Sequence, residues 1–460
     1  MRTDTIAAIA SGMTSSGIGI IRVSGDEAVP AVERITKLPG GKKLSEVPAN
    51  SVNYGYITDP EGSHEIIDEV MVLVMRAPKT YTREDTVEID CHGGVVAMKK
   101  ILDAVLSCGV RLAEPGEFTR RAFMNGRIDL SQAEAVADII NAKSELALNS
   151  GVKQLRGNVA AKIRELRNVI LGAAAEIEAF LDDPEHYGDV DFAGKLKPAV
   201  TGYLSEIDRL IDTAGSGRFI SQGIRTVICG KPNAGKSTLL NALLGEERAI
   251  VTDVPGTTRD TLEEYLSLGG IPLRITDTAG IRDTEDTVEK IGVDKAVKSV
   301  MNADLVLFVA DGSAVLSEED TKILELSSGR RTIILLNKSD LVQKTGPEDL
   351  ARFSSAPVIE ISAASGSGLD ALTAKIREMF LGGMLSSDDE VVITNMRHKE
   401  ALEHARESLK SVLESIDAGM PEDFFSIDLT EAYQELGYIL GEAMDEDVIE
   451  RIFSDFCMGK

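Results

Sequence analysis

An eight-residue stretch, Gly230-Lys-Pro-Asn-Ala-Gly-Lys-Ser237, decides the fold of the central part of the chain. It follows an apolar run at 224–229 and precedes a helical run at 238–244. Glycines at this spacing let backbone N–H groups turn inward around phosphates, while Lys236 supplies a positive charge and the Ser237 hydroxyl a ligand for Mg²⁺. The stretch therefore predicts a phosphate-binding loop between a strand and a helix. The predicted contacts are Asn233, Ala234, Gly235, Lys236, Ser237 and Thr238.

Two motifs after this loop carry groups suited to Mg²⁺ and the γ-phosphate. Thr257 and Thr258 lie in the turn-like stretch 255–260. A threonine there can close on Mg²⁺ and the γ-phosphate when a triphosphate is bound. The stretch 277–280 follows an apolar run. Its Asp277 carboxylate can hold Mg²⁺ through water, and its Gly280 N–H can donate to the γ-phosphate. The residues of this second motif are Asp277, Thr278, Ala279 and Gly280.

Two later motifs predict guanine as the base. A carboxylate at Asp340 can accept hydrogen bonds from guanine N1–H and from the exocyclic amine. Adenine lacks both donors and would leave the carboxylate unpaired, which gives strong discrimination. The stretch 362–364 follows a further apolar run and can close over the base. We therefore predict GTP and GDP rather than ATP as ligands. The residues of the two motifs are Asn337, Lys338, Asp340, Ser362, Ala363 and Ala364.

Short apolar runs alternate with helical patterns in this central region, which predicts a mostly parallel α/β sheet. The N-terminal region mixes strand-like runs with a helix, which predicts an α+β domain. Helical patterns lie on both sides of the central region, and Ser131 with Glu134 fits a capping box that opens a helical run at 135–148. We predict an α+β domain at 1–120, a helical domain at 121–217 and 381–460, and an inserted α/β domain at 218–380.

The composition excludes several classes of protein. The 460 residues suggest about three domains. Because 49 Lys and Arg stand against 75 Asp and Glu, the net charge is −26, and nucleic acid could bind only through a local basic patch or a partner. Four cysteines without a C-x-x-C pair predict no disulfide framework and no structural zinc, as in a reduced cytoplasmic protein. The absence of a long uncharged apolar run predicts no membrane span.

Motifs throughout the chain resemble those of one family, the MnmE (TrmE) tRNA modification GTPases, within the Era-like group of GTPases. Besides the five nucleotide motifs, they are G-x-G-I-x-R-x-S-G at 17–25, Y-T-x-E-D-x-x-E at 81–88 with H-G-G at 92–94, P-G-E-F-T-x-R-A-F at 115–123, and C-M-G-K at 457–460. The resemblance extends over effectively all 460 residues. It implies a Ras-like P-loop G domain inserted in an all-α helical domain, and a folate-binding-like N-terminal α+β domain that mediates homodimerisation.

The resemblance also implies an activity. Members are K⁺-stimulated GTP hydrolases that form a heterotetramer with an FAD-dependent partner, MnmG or GidA, in the bacterial cytoplasm. Together they add a (carboxymethyl)aminomethyl group at carbon 5 of the wobble uridine of certain tRNAs, with a one-carbon unit from 5-formyl- or methylene-tetrahydrofolate. The amine donor and the tRNAs recognised stay open. The rival interpretation is an Era-like ribosome-assembly GTPase without modification chemistry, but such factors usually carry a basic RNA-binding appendage.

For hydrolysis, the resemblance implies a K⁺ ion that stabilises transition-state charge. Regulatory GTPases usually carry a water-positioning Gln where this chain has Ile281, and the resemblance assigns that role to Glu289, for which a solvated acid in a first helical turn is the alternative. Ser237 and Thr258 are the implied Mg²⁺ ligands. The implied K⁺ ligands are Asn233, Thr252, Val254 and Thr257.

The implied folate contacts are Arg22, Glu88, Arg127 and Lys460. A guanidinium can pair with the glutamate tail of folate, and a carboxylate can bind its aminopyrimidinone edge. The alternatives are that Arg22 is a salt-bridge partner and Glu88 a charge on a strand surface. Cys457 is expected near the folate, either as a nucleophile or as a structural contact. Arg83 departs from the family, which usually has Gly at that position.

Overall fold

Strands and helices of the chain fall into two units, Met1–Ala137 with Gly437–Lys460, and Asp138–Leu436. The structure, a computed structural model, describes residues 4–60, 65–183, 191–246, 264–276, 300–382, 391–442, 444–454 and 456–459. Its helices are α1 (Ala28–Ile35), α2 (Val95–Ser107), α3 (Glu117–Met124), α4 (Leu130–Asn141), α5 (Glu145–Leu155), α6 (Asn158–Asp182), α7 (Phe192–Gln222), α8 (Lys236–Glu246), α9 (Glu318–Leu326), α10 (Pro347–Leu350), α11 (Leu369–Leu381), α12 (Met396–Asp417), α13 (Glu422–Leu440) and α14 (Glu446–Ser454).

The first unit is built on a seven-stranded sheet of order β3-β4-β5-β6-β2-β1-β7. Neighbouring strands are antiparallel except β1 and β7, which are parallel. Apolar side chains such as Ile21, Val72 and Ile89 bury one face of the sheet together with α1 and α2. The strands are β1 (Ile6–Ile9), β2 (Ser16–Ser24), β3 (Thr36–Lys37), β4 (Ser51–Thr58), β5 (Ile66–Met75), β6 (Thr86–Gly93) and β7 (Arg111–Leu112).

The end of the chain packs within this same unit. Leu130 of α4 and Phe453 of α14 lie in one small buried cluster with Phe456. Phe453 contacts the rings of Phe123 and Phe456, with centroid distances of 6.2 and 5.1 Å. The C-terminal residues are therefore part of the N-terminal unit's packing, although they are more than 300 positions away from α3 and α4 in the sequence.

The second unit contains a six-stranded sheet of order β13-β12-β11-β8-β10-β9, parallel except for the β9–β10 hairpin. Apolar strands β11 and β12 are buried almost throughout, as expected for a parallel sheet covered on both faces. The strands are β8 (Ile224–Cys229), β9 (Glu264–Leu268), β10 (Ile271–Ile275), β11 (Leu305–Asp311), β12 (Thr332–Asn337) and β13 (Val358–Glu360).

Helices that flank this sheet in the sequence pack against one another. The long helix α7 contacts α12, so the two segments on either side of the α/β region meet. Phe219 near the end of α7 stacks edge-on against Phe380 of α11, with ring centroids 4.9 Å apart. The predicted fold class, with an α+β N-terminal domain, a helical domain and an inserted P-loop domain, is confirmed; the exact domain boundaries stay predictions.

The predicted start of α4 is wrong. The helix begins at Leu130, and Asp129 caps it: the Asp129 carboxylate accepts from the Gln132 N–H at 3.0 Å, while the Gln132 side chain accepts from the Asp129 N–H at 3.0 Å. Ser131 lies inside the helix and donates to the Asp129 carboxylate at 2.6 Å. The pattern D-x-x-Q, two residues earlier than S-x-x-E, is thus the capping box.

Other differences concern short or interrupted elements. The predicted helical run at 135–148 is two helices, because α4 ends at Asn141 and the Ser144 hydroxyl caps α5 by accepting from the Ala147 N–H at 3.1 Å. The sequence patterns do not predict strands β1, β3, β4, β7 and β9. The Gly-rich and acidic stretch 382–390, whose composition predicts a linker, lies almost wholly outside the described residues. None of the helices in the described part of the chain combines the length and the apolar character that a bilayer span requires.

The capping assignment makes a prediction about local stability. Replacing Asp129 by Ala removes the acceptor of the Gln132 N–H, which we expect to cost about 1 kcal/mol and to speed exchange of first-turn amides of α4 about fivefold. Ser131→Ala is the matched control and should have a smaller effect, because that variant keeps the Asp129 carboxylate that accepts from the Gln132 N–H. Hydrogen exchange resolved at α4 measures both, and an equal or larger effect of Ser131→Ala would contradict the assignment.

Candidate functional site

The phosphate-loop motif lies between β8 and α8, as predicted. Gly230 follows the strand with φ 145°, and a Cβ added there would lie 2.3 Å from the Val309 carbonyl oxygen. Only glycine fits this approach, which brings the loop against β11. Asn233 is exposed and has φ 63°, a left-handed conformation that asparagine tolerates better than most residues. Ser237 and Thr238 lie exposed in the first turn of α8.

Lys236 is held over the loop by two backbone carbonyls. Its ammonium donates to the oxygens of Gly230 at 2.7 Å and Lys231 at 2.8 Å. Burial lowers the pKa of Lys236 below its ordinary value. The charge is therefore fixed in position by the loop itself.

Asn337 connects three of the predicted motifs. Its side-chain NH₂ donates to the Ala234 carbonyl at 2.8 Å, and its side-chain oxygen accepts from the Ala363 N–H at 2.9 Å. The side chain is buried, and a Cβ on Gly235 would lie 2.1 Å from its nitrogen. The phosphate loop, the N-K-S-D motif and the S-A-A motif consequently meet at one point beyond the carboxyl ends of β8, β12 and β13.

The predicted base-binding carboxylate lies beside the S-A-A motif. Asp340 is exposed, and its Oδ1 accepts a hydrogen bond from the Ser362 hydroxyl at 2.7 Å. The Lys338 ammonium pairs with Asp311 at 2.7 Å. Burial raises the pKa of Asp311, but hydrogen bonds from Lys338 and Ser313 outweigh it and leave the pKa below its usual value. Ala364 is exposed next to the buried Ala363.

One ion pair at the loop was not predicted. The Lys231 ammonium donates to Asp320 Oδ2 at 3.1 Å, and Asp320 is only 1% exposed. The same carboxylate accepts from the N–H and hydroxyl of Ser317 at the start of α9. The pattern S-x-x-D at 317–320 is a capping-box signal that could have located this helix start, but nothing in the sequence pairs it with Lys231.

A second group of predicted residues gathers in the N-terminal unit. Arg22 and Glu88 are direct neighbours across β2 and β6, and their side chains form an ion pair at 2.7 Å. The Tyr81 ring lies against both predicted arginines, with Arg127 at 4.7 Å and Arg22 at 5.8 Å from its centroid. We call Arg22, Tyr81, Glu88 and Arg127 the N-terminal cluster. Arg22 is thus a salt-bridge partner as well as a candidate ligand contact.

The C-terminal tail reaches this cluster. Arg22 donates to the Gly459 carbonyl at 3.1 Å, and the Gly116 N–H donates to the Cys457 carbonyl at 3.3 Å. The Cys457 side chain is exposed. Arg83, where the family usually has Gly, has φ 61° and donates to the Asn125 carbonyl at 2.8 Å, a bond that helps an arginine occupy a conformation favoured by glycine.

The remaining predicted residues lie outside the described part of the chain: Thr252, Val254, Thr257, Thr258, Asp277, Thr278, Ala279, Gly280, Glu289 and Lys460. Within the described ranges no group of three or more His, Cys, Asp or Glu could hold a metal ion. The predicted Mg²⁺ and K⁺ ligands are of a different kind, since they are hydroxyl, amide and carbonyl oxygens.

Comparison with known proteins places both units in one family. A family model described as the MnmE helical domain matches residues 130–457, and one described as the N-terminus of the GTP-binding protein TrmE matches residues 5–127. The chain belongs to the MnmE family of tRNA modification GTPases. The resemblance noted from the motifs is thereby confirmed.

Full-length relatives agree with this family membership. The tRNA modification GTPase MnmE of Lachnoclostridium phytofermentans is 54% identical, with 100% of both chains covered. That of Lactobacillus delbrueckii subsp. bulgaricus is 48% identical, covering 99% of this chain and 98% of the relative. Among solved structures, the G domain of the T. maritima FeoB iron transporter is 29% identical over 34% of this chain and 97% of that one, with a TM-score of 0.26.

Proposed function

We propose that this family member is a K⁺-stimulated GTP hydrolase of the bacterial cytoplasm. With an FAD-dependent MnmG/GidA partner it adds a (carboxymethyl)aminomethyl group at carbon 5 of the wobble uridine of certain tRNAs. The one-carbon unit comes from a tetrahydrofolate derivative. The observation that carries the GTP part of this proposal is the Asn337 bridge, which joins the phosphate loop to both base motifs.

The base-binding part rests on the geometry around Asp340. Its Oδ1 accepts from Ser362, and the other carboxylate oxygen can accept from guanine. A carboxylate whose one oxygen is already held has a fixed orientation, so a base with the wrong donors leaves it unsatisfied. Asn337 fixes Ala363 relative to this carboxylate, so the stretch that covers the base is tied to the group that reads it.

The phosphate-binding part rests on the loop. Lys236 lies where a β/γ-phosphate can replace its carbonyl partners. Ser237 lies in the first turn of α8, where the helix N-terminus favours anions and the Ser237 hydroxyl can ligate Mg²⁺. Asn233 is exposed at the rim of the loop, where its side-chain oxygen is available to a cation. A K⁺ ion between the β- and γ-phosphates would stabilise the charge that develops in the transition state.

The folate part rests on the N-terminal cluster. Its arginines and its carboxylate complement the two ends of a folate, the glutamate tail and the aminopyrimidinone edge. Tyr81 offers a ring face that both arginines already contact, which suits a flat heterocycle. Cys457 is two positions from Gly459, which Arg22 holds, so the tail lies at this cluster.

Homodimerisation through the N-terminal domain rests on exposed apolar side chains. Val52, Tyr54 and Met71 are 56%, 43% and 47% exposed. Strand pairing places Val52 opposite Leu73, and Leu73 opposite Glu88, so this apolar patch shares a sheet face with the N-terminal cluster. An exposed apolar patch beside a ligand cluster is typical of an interface.

The rival, a ribosome-assembly GTPase without modification chemistry, is the weaker proposal. The net charge of −26 is opposite to that of a general RNA binder. The family models cover the N-terminal domain and the C-terminal segment as well as the central region. An assembly factor would have no need for the N-terminal cluster or for the tail that contacts it.

Nucleotide choice tests the role of Asp340. In Asp340→Asn the side chain donates where it accepted before, so we expect a loss of GTP affinity of roughly a hundredfold or more and a gain for xanthosine triphosphate. Equilibrium binding of GTP and xanthosine triphosphate to the wild-type protein and to Asp340→Asn measures this change in specificity. Unchanged guanine affinity in Asp340→Asn would show that another group reads the base.

The cation tests the role of Asn233. GTP turnover should be faster in K⁺ than in Na⁺ at equal ionic strength, and Asn233→Ala should lose this difference. Because φ is 63° at this position, alanine also strains the backbone. Asn233→Gly is the matched control, since it removes the amide but accepts the conformation. K⁺ stimulation that survives in the glycine variant would exclude the side chain as a ligand.

The tail thiol tests the modification chemistry. Cys457→Ser should leave GTP hydrolysis near normal and abolish wobble-uridine modification, because a hydroxyl is a far poorer nucleophile than a thiol at neutral pH. Cys108→Ser, a half-buried cysteine at the end of α2, is the control for general loss of a thiol. Full modification of tRNA in cells with only the Cys457→Ser protein would mean that the thiol does no chemistry.

A further inference from the structure

The tail, residues 456–459, is fixed to the N-terminal unit at several separate points. Phe456 packs on Phe453, the Cys457 carbonyl accepts from the Gly116 N–H, and the Gly459 carbonyl accepts from Arg22. These contacts come from α14, from the turn before α3 and from β2. Three of these four consecutive residues therefore contact three different elements.

Gly116 makes the first of two close approaches on which this docking depends. It has φ 66°, and a Cβ there would lie 2.5 Å from the Phe453 carbonyl oxygen and 2.9 Å from the Phe456 Cβ. Both the space and the conformation exclude other residues. Gly116 thus admits the tail directly against the turn.

Gly459 makes the second close approach. It has φ 84°, it is buried, and a Cβ there would lie 2.4 Å from the Ile9 carbonyl oxygen and 2.7 Å from the Ala10 Cα. The tail therefore lies on the backbone at the end of β1, beside the strand that carries Arg22. The two glycines flank the pair Cys457 and Met458, whose side chains are exposed.

The turn that carries Gly116 is itself rigid. Glu117 is 2% exposed and accepts from Arg111 at 2.6 Å, from Arg121 at 3.0 Å and from the Glu114 N–H at 2.8 Å. Burial raises the pKa of Glu117, but these hydrogen bonds outweigh it and leave the pKa below its usual value. A buried carboxylate with this many donors holds the turn in one conformation.

We propose that Gly116 and Gly459 are positioning residues for Cys457. By clamping the tail on both sides of the cysteine, they hold its thiol at the N-terminal cluster. Two residues span at most about 7 Å, so the Cα of Cys457 cannot lie farther than that from the Cα of Gly459. This use of the clamp rests on the proposed modification function; the docking of the tail does not.

The Gly116 N–H gives a direct readout of docking, because it donates to the Cys457 carbonyl. In Gly459→Ala the added Cβ must displace the tail from Ile9, and we expect the Gly116 amide to exchange with solvent at least as fast as in a chain that lacks residues 457–460. Gly419→Ala is the matched control: its φ is 62°, but no heavy atom lies within 4 Å of an added Cβ. A Gly116 amide that stays protected in Gly459→Ala would overturn the docking argument.

The second readout is tRNA modification at unchanged GTP hydrolysis. Misplacing a reacting group by about 1 Å can cost about a hundredfold in rate, and we expect a loss of that order in Gly459→Ala and in Gly116→Ala. Gly126→Ala, with φ 69° and only the tip of Arg83 nearby at 3.5 Å, is the matched control for the Gly116 variant. Modification at the normal rate by a chain whose tail is undocked would overturn the positioning role.

The chirality of residue 459 distinguishes a loss of Cys457 positioning from a general defect of the tail. The tetrapeptide Cys-Met-X-Lys can be joined to a thioester of residues 1–456 by ligation at Cys457, which gives the full chain with D- or L-alanine at position 459. An L-configured Cβ meets Ile9 and Ala10. D-alanine accepts φ 84° and places its Cβ at the position of the other α-hydrogen, so we expect it to restore both Gly116 protection and modification, whereas L-alanine should restore neither. Equal behaviour of the two enantiomers would overturn the clamp. Loss of modification in Cys457→Ser, tested separately, reports on the proposed function instead.

Discussion

The buried side-chain amide of Asn337 is the interaction on which the nucleotide site depends. It joins two backbone groups that lie 103 and 26 positions away in the sequence, at Ala234 and Ala363. Each of these groups would lose this hydrogen bond if the amide were removed, at a cost of about 1–3 kcal/mol per buried group left unsatisfied. Because both bonds come from one planar amide, the phosphate loop and the base-covering stretch cannot shift independently.

The close packing around this amide follows from glycines at fixed positions. Gly230 brings the loop against the Val309 carbonyl, and Gly235 leaves room for the Asn337 nitrogen. The parallel strands below are buried on both faces, so their carboxyl ends form a firm edge from which each motif begins. Sequence, fold and site are linked in that order. The apolar strands form the edge of the sheet, and the glycines allow the phosphate loop to approach Val309 and Asn337 closely. The polar side chains then lie at distances suited to one ligand.

The parts of the fold and site that could be predicted are those encoded locally. The phosphate loop follows from its own glycines and lysine, and the parallel sheet from the apolar runs that precede each motif. Strand β9 could also have been predicted, since Gly269 and Gly270 form a two-residue turn with positive φ before β10, a strong hairpin signal. The predicted cap of α4 is misplaced because the patterns D-x-x-Q at 129–132 and S-x-x-E at 131–134 overlap. Only the backbone conformation decides whether the Asp129 carboxylate or the Ser131 hydroxyl accepts from the first N–H groups of the helix.

Contacts between distant segments were out of reach for a different reason. The pairs Lys231–Asp320 and Gly116–Cys457 are separated by 89 and 341 positions, and no periodicity or motif spacing records which loop faces which. Arg22–Glu88 is intermediate, since both residues were candidates but their pairing needed the register of β2 against β6. Such pairings depend on tertiary packing, which overrides local preference.

The same pairings explain how an acidic chain can present positive charge to anionic ligands. In each case a protein acceptor already holds the cation: Glu88 for Arg22, loop carbonyls for Lys236, and Asp320 for Lys231. These cations are preorganised and act over a few ångströms, whereas the repulsion that comes from the net charge of −26 extends over roughly the Debye length of about 8 Å. Local cations of this kind can complement a small anionic ligand, while the net charge of the chain opposes the approach of a phosphate backbone. This contrast agrees with the proposed function, in which a partner would attract the tRNA and this chain would hold the nucleotide and the folate.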